Sequence, residues 1–147
     1  MMRRTLLLAL SVLLPVTPAL AADYRSVSDA AAGLYDAPSQ KAKKLYLIRA
    51  QTPVELVVKL DRWIKVRDAE GSLAWIEASQ LAERRTVIVT ANTAELRQAD
   101  QDSSVVLLQL AKWVVLDFVA QAAPGWVKVK HADGATGFVR STQIWGL

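Results

Sequence analysis

The stretch "DRWIKVRDAEGSLAWI" (residues 61–76) returns later in the chain as "PGWVKVKHADGATGFV" (residues 124–139). In both, a tryptophan opens a segment in which apolar and polar residues alternate, which is typical of a strand with one buried face. An acidic residue and a glycine follow, and this pair favours a tight hairpin turn because glycine accepts positive φ. A second apolar segment then completes the pattern. Each stretch therefore predicts a β-hairpin.

The similarity extends beyond the two hairpins. Upstream, Leu34 aligns with Leu96 at an offset of 62, and after one extra residue near Ala123 the offset becomes 63, so that Trp63 aligns with Trp126. The chain is therefore two copies of one unit, and we predict a first domain at 22–85 and a second at 86–147. Short strands, regular turns and no long amphipathic helix predict an all-β fold with two small β-barrels or sandwiches.

The segment that joins the copies, "LAERRTVIVT" (residues 81–90), contains neither glycine nor proline. It leads directly into a predicted strand, whereas flexible linkers are rich in glycine and serine. We therefore expect the two units to hold a fixed arrangement. We also expect Trp145, near the last residue of the sequence, to pack across the joint, since a chain end is otherwise poorly tied down.

The first residues have the pattern of a secretory signal peptide. Arg3 and Arg4 precede an apolar run at 5–14, and the sequence "ALA" follows at 19–21. This order predicts cleavage after Ala21, and the run is shorter than the roughly 20 residues that a membrane-spanning helix needs. We expect a mature chain that begins at Ala22, contains no membrane span, and is periplasmic or secreted.

Composition excludes several kinds of site. The chain has no cysteine, so it contains neither a disulfide nor a cysteine nucleophile. Its net charge of +4 includes Arg3 and Arg4, and the remaining charges are mixed in sign, without the basic stripe that nucleic-acid binding requires. We predict no nucleic-acid partner.

Catalytic and metal-binding groups are also scarce. His131 is the only histidine, and a hydrolytic triad or a zinc site needs partners for it from other segments. The acidic residues Asp61, Asp68 and Glu70 surround one turn, where carboxylates commonly serve local hydrogen bonds. We predict no catalytic residue, no metal, no cofactor and no enzymatic activity. Carboxylates that converge in a pocket would favour a small hydrolase instead.

The candidate binding residues are aromatic. In "WIKVR", Ile64 and Val66 point to one face, which we assign to the core, and Trp63 points to the other. The same argument places Trp126 at the edge of the second unit. A partly exposed tryptophan is a typical recognition anchor, but it can equally cover a core or fill the joint. Trp75 and Phe138 alternate with apolar neighbours, so we expect one of the two sets to be half exposed.

The stretch "RWIKVRDAEGSLAWIEASQL" (residues 62–81) resembles the bacterial SH3-like (SH3b) domain. The shared features are the tryptophan, the alternating K-V strand, the turn, the following aromatic strand and a closing S-x-x-L, and "GWVKVKHADGATGFVRSTQIWGL" (residues 125–147) repeats them. The segment "LYDAPSQ" (residues 34–40) is similar to the start of such domains. The order of the copies resembles a secreted, tandem proteobacterial type. This resemblance implies two tandem SH3-like small β-barrels.

The copies differ where the resemblance would place ligand contacts. The usual arginine of the first motif is Tyr35 in the first copy and Arg97 in the second, and its proline is Pro38 in the first and Asp100 in the second. The glycine before the late aromatic residue is replaced by Ala74 in the first copy only. The copies thus share a barrel but need not share a binding site.

The resemblance implies a binding module associated with the cell wall. Peptidoglycan, in particular its peptide stems, is the first ligand hypothesis, and an adaptor for an envelope protein complex is the second. The candidate ligand-binding residues are Trp63, Trp126, Tyr35, Arg97, Trp75 and Phe138. Proline-rich peptides are not expected, since the positions that would line their groove hold Glu77, Gln80, Arg140 and Gln143.

Overall fold

A computed structural model describes residues 21–147, so the predicted signal peptide lies almost entirely outside the described residues. The first copy forms one antiparallel seven-stranded sheet in the order β3-β2-β6-β5-β4-β1-β7. A one-turn 3-10 helix, Ala78–Gln80, precedes its last strand. The strands are β1 Tyr24–Val27, β2 Ala32–Tyr35, β3 Lys44–Ile48, β4 Pro53–Lys59, β5 Trp63–Arg67, β6 Leu73–Glu77 and β7 Leu81–Ala82.

The second copy repeats this topology strand for strand, in the order β10-β9-β13-β12-β11-β8-β14. The 3-10 helix Ser141–Gln143 occupies the matching place. The strands are β8 Thr86–Val89, β9 Thr93–Arg97, β10 Val106–Ala111, β11 Val115–Gln121, β12 Trp126–Lys130, β13 Thr136–Arg140 and β14 Ile144–Trp145. The predicted all-β tandem fold is confirmed.

Each sheet encloses its own apolar core, and the alternating strands supply it. In the first copy Val66 and Ile76 are fully buried, and Ile64 is partly buried against the same cluster. In the second copy Val127, Val129 and Val139 are fully buried. Trp75 and Phe138, on the opposite face, are half-buried, as the alternation predicts. The core is therefore on the expected side of both hairpins.

The hairpin turns also form as predicted. Gly71 and Gly134 have φ values of 87° and 97°, which glycine adopts without steric penalty. The carboxylate of Asp68 accepts hydrogen bonds from the backbone amides of Glu70, at 3.0 Å, and Ser72, at 2.9 Å. In the second copy, the hydrogen bond from the amide of Ala135, and then His131, lower the pKa of Asp133. The turn acids thus serve local structure.

Two buried hydroxyl groups lie where the copies meet. The Ser26 hydroxyl is 2.6 Å from the carbonyl oxygen of Arg84 and 2.7 Å from the Thr86 hydroxyl. Thr86 in turn donates to the carbonyl oxygen of Gln51 at 2.7 Å. The first sheet ends at Ala82 and the second begins at Thr86, so these contacts tie β1 directly to the start of β8.

An aromatic cluster lies at the same joint. Trp145 contacts Tyr24 edge to face, with ring centroids 5.1 Å apart, so its predicted packing across the joint is confirmed. The guanidinium of Arg85 lies between the rings of Tyr24 and Phe118, at 5.7 and 5.3 Å from their centroids, and donates to the carbonyl oxygen of Gly146 at 2.9 Å. Within 21–147, no helix is long and apolar enough to cross a membrane.

Candidate ligand-binding site

Three aromatic side chains share the outer face of the first sheet. Tyr35 lies opposite Trp75 across β2 and β6, and Trp75 lies opposite Lys65 across β6 and β5. Trp63 contacts Tyr35 edge to face, with centroids 5.3 Å apart. Because Val66, Ile76 and their alternating partners fill the core, strand geometry directs these rings outward.

Two lysines accompany the aromatic side chains. The ammonium group of Lys44 is 5.6 Å from the centroid of Tyr35, and that of Lys65 is 5.9 Å from the centroid of Trp75. Neither lysine takes part in an ion pair with any residue that the structure describes. The face therefore combines apolar ring surface with uncompensated positive charge.

A cleft of about 220 Å³ adjoins the half-buried Trp63. Its other walls are the loop after β2, with Pro38 and Gln40, and the residues Arg62 and Glu77. The amide of Gln40 donates to the carboxylate of Glu77 at 3.0 Å, which ties this loop to the end of β6. Trp63 thus presents part of its ring to a concave, polar surface. We call Tyr35, Trp63, Trp75 and this cleft the aromatic face.

The second copy closes the matching surface with two arginines. Arg97, in the place of Tyr35, donates to the carbonyl oxygens of Asp102 at 2.6 Å and Ser104 at 2.7 Å, and forms an ion pair with Glu95. The loop after β9 is therefore fastened to the strand itself.

Arg140, in the place of Glu77, completes the closure. Its guanidinium lies 4.3 Å from the ring centroid of Trp126, and it forms an ion pair with Asp102 of the fastened loop. Trp126 is only 5% exposed. Of the alternatives left open for Trp126, an exposed anchor or a covered ring, the structure shows the covered ring: alternation assigns Trp126 to the outer face, and a long side chain from β13 covers it there.

The structure thus brings together three of the six candidate residues, Trp63, Tyr35 and Trp75. In the second copy Phe138 lies opposite Arg97 and beneath Lys128, whose ammonium group is 5.9 Å from the ring centroid. Sequence reasoning did not single out Lys44, Lys65, Arg62 or Gln40. Lys65 follows the same strand alternation as the aromatic residues, so the signal for it was present. Lys44 lies opposite Tyr35 only because the register of β2 with β3 shifts between Leu34 and Tyr35, which alternation does not predict. The loop contacts of Gln40 depend on the fold and have no local sequence signal.

His131 and the acidic residues do not assemble into a larger group. The imidazole Nδ1 of His131 lies 2.9 Å from the carboxylate of Asp133 in the same turn. Throughout the described range, no three histidine, cysteine or acidic side chains are placed to hold a metal ion.

Among the described residues, Tyr46, which lies outside the aromatic face, has a strongly shifted pKa. Burial, followed by the hydrogen bond that its hydroxyl donates to Asp68 at 2.9 Å, raises the pKa of Tyr46 to about 12. Ionisation is therefore harder in the folded chain than in the unfolded chain, where the pKa is about 10. This contribution to stability is complete below about pH 10 and is lost as the pH rises towards about 12.

We expect the tyrosinate absorbance of the protein to show one group that titrates near pH 12. The Tyr46→Phe variant should lose that transition, and Asp68→Asn should move it to lower pH. A titration of Tyr46 at the pKa of a free tyrosine would contradict this assignment.

Two small antiparallel units, each with its own core, define a tandem small-β-barrel protein. The family model for the bacterial SH3 domain matches the chain twice, at residues 28–83 and 90–146. The chain therefore belongs to the bacterial SH3 domain family, and the resemblance inferred from the two hairpins is confirmed.

Solved structures of three proteins are similar at low identity. They are NlpC2 and NlpC1 from Trichomonas vaginalis, with 10% and 13% identity and TM-scores of 0.39 and 0.40, and an NlpC/P60 family protein from Bacillus cereus, with 16% identity and a TM-score of 0.39. The matches cover 85%, 92% and 84% of this chain but only 48%, 50% and 56% of those proteins. The chain thus spans about half their length, and likeness at this level supports no conclusion about its activity. No curated protein matches the sequence.

Proposed function

We propose that this protein is a non-catalytic binding module of the cell envelope, periplasmic or secreted, whose ligand is peptidoglycan and in particular its peptide stem. Membership of the bacterial SH3 domain family supports a binding role. The observation that carries the proposal is the asymmetry between the copies. The aromatic face is open in the first copy, whereas Arg140 covers the matching tryptophan in the second.

The chemistry of the aromatic face suits a peptide stem. Rings that are partly exposed supply apolar contact area at a small entropic cost, and such residues dominate binding energy in many interfaces. A peptide stem is an extended chain with free carboxylates. Lys44 and Lys65, beside Tyr35 and Trp75, can pair with those carboxylates without first breaking an ion pair of their own.

Sedimentation with purified sacculi tests the proposal. We expect the wild-type protein to bind saturably and Trp63→Ala to weaken binding by at least about tenfold, as for an interface anchor. The matched control is Phe138→Ala, which removes a ring from the outer face of the second copy and should change the affinity by less than about twofold. Absence of binding by the folded wild-type protein would rule out peptidoglycan as the ligand.

Stem-free glycan strands, released from sacculi by an amidase and immobilised on beads, distinguish stem from glycan. We expect binding to fall to background on this material. Equal binding to stem-free glycan would leave the aromatic face as the site but would contradict the peptide ligand.

An adaptor for an envelope protein is the second candidate function. It is favoured by apolar side chains that remain exposed on equivalent strands, notably Leu47 of β3, which is 65% exposed, and Val106 of β10. Contiguous exposed apolar residues commonly mark protein contacts.

A further inference from the structure

A groove runs along the joint between the two copies, away from the aromatic face. Its first part, about 270 Å³, is lined by residues 46–49 of the first copy, by Asp68 and Glu70 of the hairpin turn, and by Ile88 and Trp113 of the second copy. Arg49 and Trp113 also line its middle part, of about 630 Å³, together with Lys112. A polar end of about 320 Å³ follows, beside Lys130. We call these adjoining parts the joint groove.

The distinctive residues of the joint groove are not shared by the two copies. Arg49, Lys112 and Trp113 meet there, although the repeat that builds the barrels does not require them. The guanidinium of Arg49 donates to the carbonyl oxygen of Trp113 at 3.2 Å, and the ammonium group of Lys112 lies 4.6 Å from the indole centroid. At an offset of 62, the matching positions hold Ala111, Ala50 and Gln51.

Trp113 occupies an unfavourable backbone conformation. Its φ is 71°, in the left-handed region, where a bulky residue costs about 1–3 kcal/mol. Gln51 holds the matching turn of the first copy with a φ of 63°, and both residues donate the same backbone hydrogen bond, at 2.8–2.9 Å, to the end of the preceding β1 or β8 strand. The turn therefore forms without tryptophan, and the half-buried indole needs a reason outside the turn.

The middle of the joint groove is positively charged. Arg49 and Lys112 are exposed, and in the part of the chain that the structure covers neither forms an ion pair. Among the described residues no acidic side chain lines this middle part; Asp68 and Glu70 belong to the first part, and Asp117, which is paired with Arg84, belongs to the polar end. Two uncompensated cations in a concave, partly apolar surface attract a chain that carries carboxylates.

Strand β3 determines what kind of chain fits. In the described part of the chain it stands at the end of its sheet and pairs only with β2. Side chains of a strand alternate between its two faces, so the three consecutive β3 residues 46–48 can all line this groove only if the strand presents its edge to it. A free edge offers unpaired N–H and C=O groups, with which the backbone of an extended polypeptide can form hydrogen bonds as an added strand. A polysaccharide has no peptide backbone and cannot pair with the edge in this way.

We propose that the joint groove is a second binding site, which takes an extended acidic segment of a partner protein as an additional strand on β3. Apolar side chains of the segment contact Leu47 and Trp113, and its carboxylates pair with Arg49 and Lys112. This site shares no residue with the aromatic face, so the proposal does not depend on peptidoglycan binding.

The test titrates the labelled protein with an alternating Glu–Val octapeptide and records amide resonances. We expect shifts centred on β3 and on Trp113, and an affinity that falls as salt is added. The Arg49→Glu/Lys112→Glu variant should lose at least about tenfold in affinity, or ~1.4 kcal/mol. Lys41→Glu, which reverses one charge on an exposed loop outside the groove, should leave the affinity unchanged.

Three further probes separate the elements of the proposal. Trp113→Gly removes the indole while glycine accepts the left-handed turn, so this variant should fold and bind at least about tenfold more weakly. An octapeptide with N-methyl groups on every amide should not bind, because neither of its edges can donate hydrogen bonds to β3. A Lys–Val octapeptide should not bind either.

The proposal is overturned if the Glu–Val peptide shifts no groove resonance, or if the N-methylated or Lys–Val peptide binds equally well. It is also overturned if an acidic polysaccharide, polygalacturonate, occupies the groove while the Glu–Val peptide does not. Trp63→Ala tests whether the two sites are independent. This variant should keep full affinity for the Glu–Val peptide even though its binding to sacculi is weakened.

Discussion

Trp126→Ala is expected to lower the free energy of unfolding of the second copy by about 3 kcal/mol, within the range for truncation of a buried aromatic residue. The ring is 5% exposed and lies beneath the guanidinium of Arg140. Its removal leaves a void that Arg140 can fill only by giving up its ion pair with Asp102. The loss of ring burial and of the cation–π contact therefore add to each other.

Trp63→Ala is the matched control, since it changes the same strand position of the first copy. Trp63 is half-buried and borders an open cleft, so we expect a loss of only about 1 kcal/mol, mostly from its contact with Tyr35. Native-state hydrogen exchange of amides in β5 and β12 measures the two copies separately. Equal losses in the two variants would show that Arg140 does not bury Trp126 in solution.

The outcome for these two tryptophans shows what sequence periodicity can establish. Alternation gave the correct face for both Trp63 and Trp126, because strand geometry fixes side-chain direction locally. It could not predict exposure, since that depends on residue 77 or 140 across the neighbouring strand and on loop residue 40 or 102. Those contacts join positions far apart in sequence, and no local pattern encodes them.

The fold was more accessible from the sequence than the candidate site. Two copies supply each pattern twice, so the hairpins at 63–77 and 126–140 and the long strands before them were predictable. Strand β1, with the sequence "YRSV", is too short to show a period, and it forms because β4 and β7 pair with its two edges. The joint groove is lined by residues of both copies that differ from their counterparts in the other copy. A comparison of the two copies therefore does not identify these residues as one site.

Gly137→Ala is expected to destabilise the second copy by about 3 kcal/mol, at the upper end of the usual cost of overpacking. A methyl group at this position would lie well inside contact distance of the carbonyl oxygen of Arg97 and 3.0 Å from Cγ of Leu96. The backbone oxygen cannot rotate away as a flexible side chain can. Strands β9 and β13 would therefore have to separate at the pairing of Phe138 with Arg97.

The first copy provides the matched change in the opposite direction. Ala74 holds the same position, is 2% exposed, and is accommodated between β2 and β6. We expect Ala74→Gly to cost only about 1 kcal/mol, from the lost methyl contact and the greater freedom of the unfolded chain. We therefore expect β2 and β6 to be further apart at Ala74 than β9 and β13 are at Gly137.

Hydrogen exchange in β13 and β6 distinguishes the two variants, and the amide resonances of Ser104 and Asp102 report on the Arg97 side chain that fastens the loop. If Gly137→Ala pushes β9 away, those resonances should shift and Trp126 should become more accessible to acrylamide. Such a variant would open the closed face of the second copy while keeping every aromatic residue and arginine. A loss of stability below about 1 kcal/mol, with the loop resonances unmoved, would show that β9 and β13 are not as close as the structure places them.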